Sequence, residues 1–273
     1  MKSAQIAVVT GASRGAGKGI AVVLGEQGAT VYCTGRSTRG GRLTEGLPGT
    51  VEDTAEEVTA RGGRGIPVVC DHTDDGQVKA LFDRVQREQG GLDLLVNNVW
   101  GGYEGHPAGL SMEPFWKQDP AQYHAMFGAG VRPHLVASAL AAPLLIQRGR
   151  GLIVNTVAWL DGKYLRNIYY DLSKATLVRM TLGMAEDLRP HDVAAIAVAP
   201  GFIRSERVMA AHASHPFPLD RTESPEYIGR AVAALVADPA VMARSGSILY
   251  VGNLAREYGF TDIDGRYVPV FTV

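Results

Sequence analysis

Val8-Val9-Thr10-Gly11-Ala12-Ser13-Arg14-Gly15-Ala16-Gly17 is the stretch that decides how this chain folds. A strand-like apolar run, 6–9, stops at Gly11, Gly15 and Gly17, and a helical pattern begins directly behind them. Glycines at such a junction let the backbone turn sharply and come close to a pyrophosphate, whose charge meets the free N–H groups of a helix N-terminus. On that reading Gly11, Ser13, Arg14, Gly15, Ala16 and Gly17 form a phosphate cradle. One glycine-rich turn is a weak signal by itself, and the pattern of strands and helices downstream gives it weight.

Further apolar runs at 30–33, 66–69, 92–96, 152–154, 193–198 and 247–251 read as strands. Amphipathic stretches at about 17–27, 52–61, 75–89, 120–148, 168–189 and 225–237 read as helices. Short strands rich in Val, Ile and Leu, alternating with helices, predict a parallel sheet covered on both faces. The expected fold class is therefore α/β, a doubly wound Rossmann-type sheet of about seven strands. At 273 residues, with no internal repeat, heptad or long linker, a single domain over 1–273 is expected. The low-complexity piece is the glycine-rich loop 37–49.

Composition narrows the function classes. Hydrophobic residues at 46% and charged residues at 20% are ordinary for a soluble globular protein. A net charge of −1 and no basic face give no reason to expect nucleic acid or an anionic membrane as partner. Met1-Lys2-Ser3 runs into the first strand without a visible signal peptide, and the apolar stretch 135–146 is short for a membrane span and holds Pro143. A cytoplasmic location is the expectation. Cys33 and Cys70 end apolar runs and read as small buried hydrophobes. His106, His124, His134, His191, His212 and His215 show no metal-ligand spacing, so no metal site is expected. His72 reads as a solvated neighbour.

The second strand ends at Gly35-Arg36-Ser37, where an NAD-binding chain would place Asp or Glu on the ribose 2′-hydroxyl. Arg36 and Arg14 instead offer cationic donors to a 2′-phosphate, with no carboxylate at that position to repel it, so NADP(H) is favoured over NAD(H). Arg39 and Arg42 are further candidates. Asp71, at the end of the third strand, is placed to accept from an adenine amine. Asn97 and Asn98, after the fourth, are placed to brace the loop and the ribose. Tyr170 and Lys174 stand four apart on a predicted helix and so share one face. An ammonium beside a phenol favours the phenolate and draws its pKa down from ~10, which suits proton transfer. Tyr169 points about 100° away around the helix.

Together, Thr10-Gly11, Gly15, Gly17, Asp71, Asn97-Asn98, Tyr170-Asp171-Leu172-Ser173-Lys174 and Pro200-Gly201 resemble the short-chain dehydrogenase/reductase family over almost the whole chain. One branch is especially similar in Val68-Val69-Cys70-Asp71, Leu92-Asp93-Leu94-Leu95-Val96-Asn97-Asn98 and Leu254-Ala255-Arg256-Glu257-Tyr258-Gly259. The resemblance implies an oxidoreductase with Tyr170 as acid/base and Lys174 on the nicotinamide ribose. It also implies nicotinamide contacts from Ile203 and Ser205, and a homodimer or homotetramer.

Two family residues are missing. At the end of the fifth strand the family sets a serine on the substrate carbonyl, where this chain has Val157 or Ala158. Thr156 shares a strand face with Ala158 but lies about 6–7 Å further back. Thr156, Trp159, Tyr164 and Asn155 are the candidate substitute donors. The loss of one preorganised donor costs on the order of 10²–10³ in rate. The family's asparagine in the long helix is replaced by Gly130, and Pro133 cannot donate to the Ala129 carbonyl. A kinked helix that binds water through its main chain is expected in its place.

Trp100, Tyr103, Phe115, Trp116, Trp159, Tyr164 and Phe202 lie in three crevice loops. They read either as an apolar substrate pocket, with Trp100, Trp159, Tyr164 and Phe202 its main walls, or as loop packing. The substrate loop is set at about 100–119 and a lid at about 204–223. The expected function is NADP(H)-dependent hydride transfer to or from a small-molecule carbonyl or alcohol. The alternatives are an NADP(H)-binding protein with little turnover, acting as a sensor or partner-binding subunit, and proton-transfer chemistry on the same scaffold.

Overall fold

The computed structural model describes residues 4–105, 110–159 and 162–271. His106, part of the substrate loop and Met1-Lys2-Ser3 lie outside them.

Strand β1 (Ile6–Thr10) is buried along its whole length. Its residues divide by alternation: Ala7 and Val9 belong to one apolar cluster, Ile6 and Val8 to the other. That is the pattern of a strand covered on both faces. β1 leads into α1 (Gly15–Glu26), β2 (Thr30–Gly35), α2 (Val51–Ala60), β3 (Arg64–Val69), α3 (Asp75–Gln89) and β4 (Leu94–Asn97). The second half runs α4 (Gln122–Met126), α5 (Arg132–Gln147), β5 (Gly151–Thr156), α6 (Ile168–Leu188) and β6 (Val193–Ala199). A short β7 (Phe202–Ile203), α7 (Glu206–Ser214), β8 (Thr222–Glu223), α8 (Pro225–Ala237), β9 (Ile248–Tyr250) and α9 (Val251–Tyr258) complete the chain.

The main sheet has seven parallel strands in the order β3-β2-β1-β4-β5-β6-β9. The strand order reverses between β1 and β4, which opens a crevice at their C-terminal ends, where ligands of such sheets bind. One face is covered by Ile20 and Leu24 of α1, Val58 of α2, Val232 of α8 and Leu254 of α9. The other is covered by Leu81 of α3, Leu145 of α5 and Ala185 of α6.

Two features depart from the expected elements, and a third, the kink in the long helix, is as expected. The run taken to end in a strand at 247–251 gives way at Val251 to α9. The lid holds a nine-residue helix, α7. The long helix is interrupted by a π-turn, Phe127–Val131, between α4 and α5. The helical run His124–Gln147 is long and apolar enough to cross a membrane. Here its Ala137, Ala141 and Leu145 pack against the sheet.

Candidate active site

The turn after β1 is shaped by close backbone contacts. Gly11 has φ +67°, and a Cβ on Gly17 would stand 2.2 Å from the Gly11 carbonyl oxygen. Asn98 pins this turn from β4, its Nδ2 donating to the carbonyls of Thr10 at 3.2 Å and Gly11 at 3.1 Å. Asn98 therefore braces the loop, and it also lines the cleft. Gly11, Ser13, Arg14, Arg36, Asp71, Asn98, Trp100, Tyr103 and Ser205 line one cleft of about 230 Å³. Gly15, Gly17 and the half-buried Ala16 start α1 beside it.

The cradle already carries an anion. Gly15 N–H donates at 2.8 Å to the Glu206 carboxylate, which reaches across from the start of α7. The position therefore suits a negatively charged oxygen, as a helix N-terminus should. Arg207, next along α7, is ion-paired with Glu45 of the 37–49 loop. Ser205 is the N-cap of α7, accepting from Val208 N–H. Ile203 pairs with Glu223 in the small β7–β8 sheet.

Arg14 and Arg36, the two arginines expected at an adenosine end, are both engaged. Arg14 donates to Ser37 Oγ at 2.7 Å and to the carbonyls of Pro48 and Leu47, holding the glycine-rich loop over the cleft; burial lowers its pKa. Arg36 pairs with Glu104, and Asp71 stands 3.9 Å away. Burial works against the Arg36 charge, but the Glu104 contact outweighs it and the pKa rises. The expectation that no carboxylate stands near Arg36 is corrected: Glu104 comes from the loop after β4, too distant in sequence for strand-end reading. Arg39 is a surface residue paired with Asp53 and Glu56. Asp71 accepts from Thr73 N–H and Oγ1, so it caps its own turn while lining the cleft. His72 is not solvated. It is buried against Thr34 Oγ1 at 2.7 Å, and burial pushes its pKa down to about 4.

Asn167 starts α6 as its N-cap, accepting from Tyr170 N–H at 3.0 Å. Its Nδ2 donates to Gln122 Oε1, while Gln118 Oε1 accepts from Ile168 N–H. These buried amides fix the height at which Tyr170 emerges. Sequence reasoning passed over them, although an Asn before a helical run is a recognisable cap signal. Lys174, one turn on, is buried with its Nζ 3.7 Å from the Trp100 ring centre and 5.5 Å from that of Tyr170.

The electrostatics run opposite to the expected direction. Burial pushes the Tyr170 pKa well above its ordinary value, and the neighbouring Tyr103 adds to the rise. Lys174 does not draw it down. Burial instead lowers Lys174 itself to about 7, since an ammonium loses its water there and gains only the face of an indole.

The side chain facing Tyr170 is Tyr103. Their rings stack at 6.4 Å with 21° between planes. Trp100 meets both rings edge-on, at 5.7 and 5.5 Å. Gly130 makes room for it: a Cβ there would stand 2.6 Å from Trp100 Cζ3. The π-turn breaks the helical ladder as expected, but Gly101 N–H donates to the freed Ala129 carbonyl at 2.9 Å, satisfying it within the protein.

The candidate donors at the strand end lie elsewhere. Thr156 Oγ1 is 3.5 Å from Asn98 Oδ1. Asn155 is buried, donating to Thr181 Oγ1. Val157 is buried in a small cluster with Leu177, with Trp159 packed against it, and Ala158 is the half-buried position. The aromatics do not converge on one pocket. Tyr164, 49% exposed, shares a surface cleft with Phe115 and Trp116. Phe202 packs on Phe217 and Phe271. Only Trp100 and Tyr103, among the seven, are in ring contact with Tyr170 among the described residues. Loop conformation decides this, and local sequence patterns carry no information about it.

A family model described as short chain dehydrogenase matches residues 5–215. The chain belongs to the short-chain dehydrogenase/reductase family. Among curated proteins it is 38% identical to dehydrogenase/reductase SDR family member 1 of Mus musculus and 35% identical to that of Homo sapiens, in both cases over 97% of this chain and 85% of the relative. This is the branch to which the sequence motifs pointed. Among solved structures, a short chain dehydrogenase of Mycobacterium thermoresistibile has the same fold, with a TM-score of 0.81, 24% identity, and coverage of 97% of this chain and 93% of that one.

Proposed function

We propose that this protein is an NADP(H)-dependent oxidoreductase acting on the carbonyl or alcohol carbon of a small apolar molecule, with Tyr170 as acid/base. The observation that carries the reading is the Tyr170 hydroxyl and Lys174 ammonium on one face of α6, walled by Trp100, which also lines the cleft reaching Gly11 and Ser205. Gly11, Ser13, Gly15, Ala16 and Gly17 would hold the pyrophosphate. Asp71 and Asn98 would hold the adenine end and the loop, Lys174 the ribose, Ile203 and Ser205 the nicotinamide. When bound, the coenzyme supplies or takes up the hydride. A Tyr170 kept protonated at neutral pH suits donation to a developing alkoxide. The low pKa of Lys174 places a second proton-exchanging group within its helical turn.

The preference for NADP(H) rests on Arg36 and Arg14 at the cleft wall. A 2′-phosphate would exchange with Glu104 as the Arg36 partner, which offers more charge and more acceptors. Residues 100–119 serve as the substrate loop and 204–223 as the lid, the latter supported by the contacts of α7 with the cradle. We further propose a cytoplasmic homodimer or homotetramer, supported by the exposed Leu135 on α5 and Leu172 and Leu182 on α6. The net charge of −1 favours neither nucleic acid nor an anionic membrane as partner.

Fluorescence titration with NADPH and NADH, followed by turnover on a panel of ketones, aldehydes and quinones, tests this. NADPH is expected to bind more tightly, and Tyr170→Phe to abolish reduction. Tight NADPH binding with no turnover on any carbonyl would support the binding-protein alternative. Failure to bind either coenzyme would remove the reading altogether.

A further inference from the structure

We infer that Tyr103 is the hydrogen-bond donor to the reacting carbonyl oxygen, in the role that a strand-end serine fills elsewhere in the family; this rests on the oxidoreductase reading above. The strand end has no hydroxyl of its own at Ala158, and the Thr156 hydroxyl turns to Asn98. Tyr164 lies in a different cleft, and Ser173 Oγ donates to the Tyr170 backbone carbonyl at 2.7 Å. Tyr103 lines the cleft, and its ring stacks on that of Tyr170.

The pairing has the composition such a site needs. Two neutral phenols side by side carry two O–H protons. An oxygen acceptor placed between the hydroxyls takes both. Burial keeps both phenols protonated at neutral pH, so both remain donors. Tyr103 is also held in place: its ring meets Trp100 edge-on, and the Arg207 guanidinium lies 5.1 Å above its face. A reduced nicotinamide coenzyme would supply the hydride to the carbonyl carbon, and the carbonyl π pair would move to oxygen. Tyr170 transfers its proton to that oxygen and is reprotonated from solvent. Tyr103 keeps its proton and gives only a hydrogen bond.

The test is Tyr103→Phe, which keeps the ring and its stacking, measured on whichever ketone, aldehyde or quinone the wild type reduces. The expected result is a fall of about 10²–10³-fold in kcat, with KM and NADPH affinity changed far less. Ala158→Ser, added to Tyr103→Phe, is expected to restore at least about tenfold by returning a donor to the strand end. A purely structural role for Tyr103 predicts no such rescue. A kcat within threefold of wild type, or no rescue by Ala158→Ser, overturns the inference and leaves the oxidoreductase reading standing. A wild type that binds NADPH and reduces nothing overturns that reading, and this inference falls with it.

Discussion

The Glu206 carboxylate accepts a 2.8 Å hydrogen bond from the Gly15 backbone N–H, so the lid helix lays an anion of its own on the phosphate cradle. With Arg207 tied to Glu45, α7 is fastened over a cleft of about 230 Å³, below the roughly 300–1,000 Å³ of most small-molecule sites. A coenzyme phosphate has to displace that carboxylate. A hydrogen bond to a charged group is worth about 1.5–3 kcal/mol. Glu206→Gln is therefore expected to tighten NADPH binding by about tenfold. Fluorescence titration reads this directly, and an unchanged or weaker affinity would show that Glu206 does not compete.

Lys174 is predicted to destabilise the fold that it serves. Its folded pKa of about 7 lies below the ordinary 10.5, so between these values the unfolded chain binds more protons and stability rises with pH. Below about pH 7 the cost of burying the charge is fully present. Lys174→Met should therefore raise stability by about 2–4 kcal/mol at pH 6, with an advantage that shrinks toward pH 9. Turnover should be lost. Urea unfolding at the two pH values checks the sign.

The fit of Gly130 to Trp100 gives a coupled pair. A Cβ at Gly130 would meet Trp100 Cζ3 at 2.6 Å, so Gly130→Ala should cost about 1–3 kcal/mol through overpacking and lift the indole from Lys174. In a Trp100→Leu background the same substitution should cost much less. A double-mutant cycle by urea unfolding, with a coupling below about 0.5 kcal/mol, would disprove the contact.

Glu223 lies beneath the turn that carries the lid. Its Oε2 lies against Gly201, while its Oε1 is buried without a partner. Burial, with Asp262 nearby and only partly offset by Arg204, raises its pKa from 4.5 to about 8. The folded state thus holds a proton that the unfolded state has lost, and this contribution to stability declines as pH rises from 4.5 to 8. Glu223→Gln should flatten that decline and be more stable at pH 8 by on the order of 2–4 kcal/mol. Equal pH slopes for the two proteins in thermal unfolding would contradict the assignment.

Much of the architecture was readable in the chain itself. The apolar run at 6–9, the glycines after it, and the four-residue spacing of Tyr170 and Lys174 are local patterns, and local geometry is enough to interpret them. They determined the parallel sheet, the position of the cradle and the pairing of phenol and ammonium on α6. The α9 helix escaped because its short apolar start reads equally well as the continuation of β9.

The tertiary structure decided which charges and hydroxyls meet. Glu206 and Gly15 are 191 positions apart, and Arg36 and Glu104 are 68 apart. No periodicity relates such residues, since only the packing of loops at the end of the sheet brings them together. Burial is likewise a property of the assembled fold. It is the reason Lys174 is lowered and Tyr170 raised, where spacing alone pointed to an ammonium that eases the phenol's ionisation.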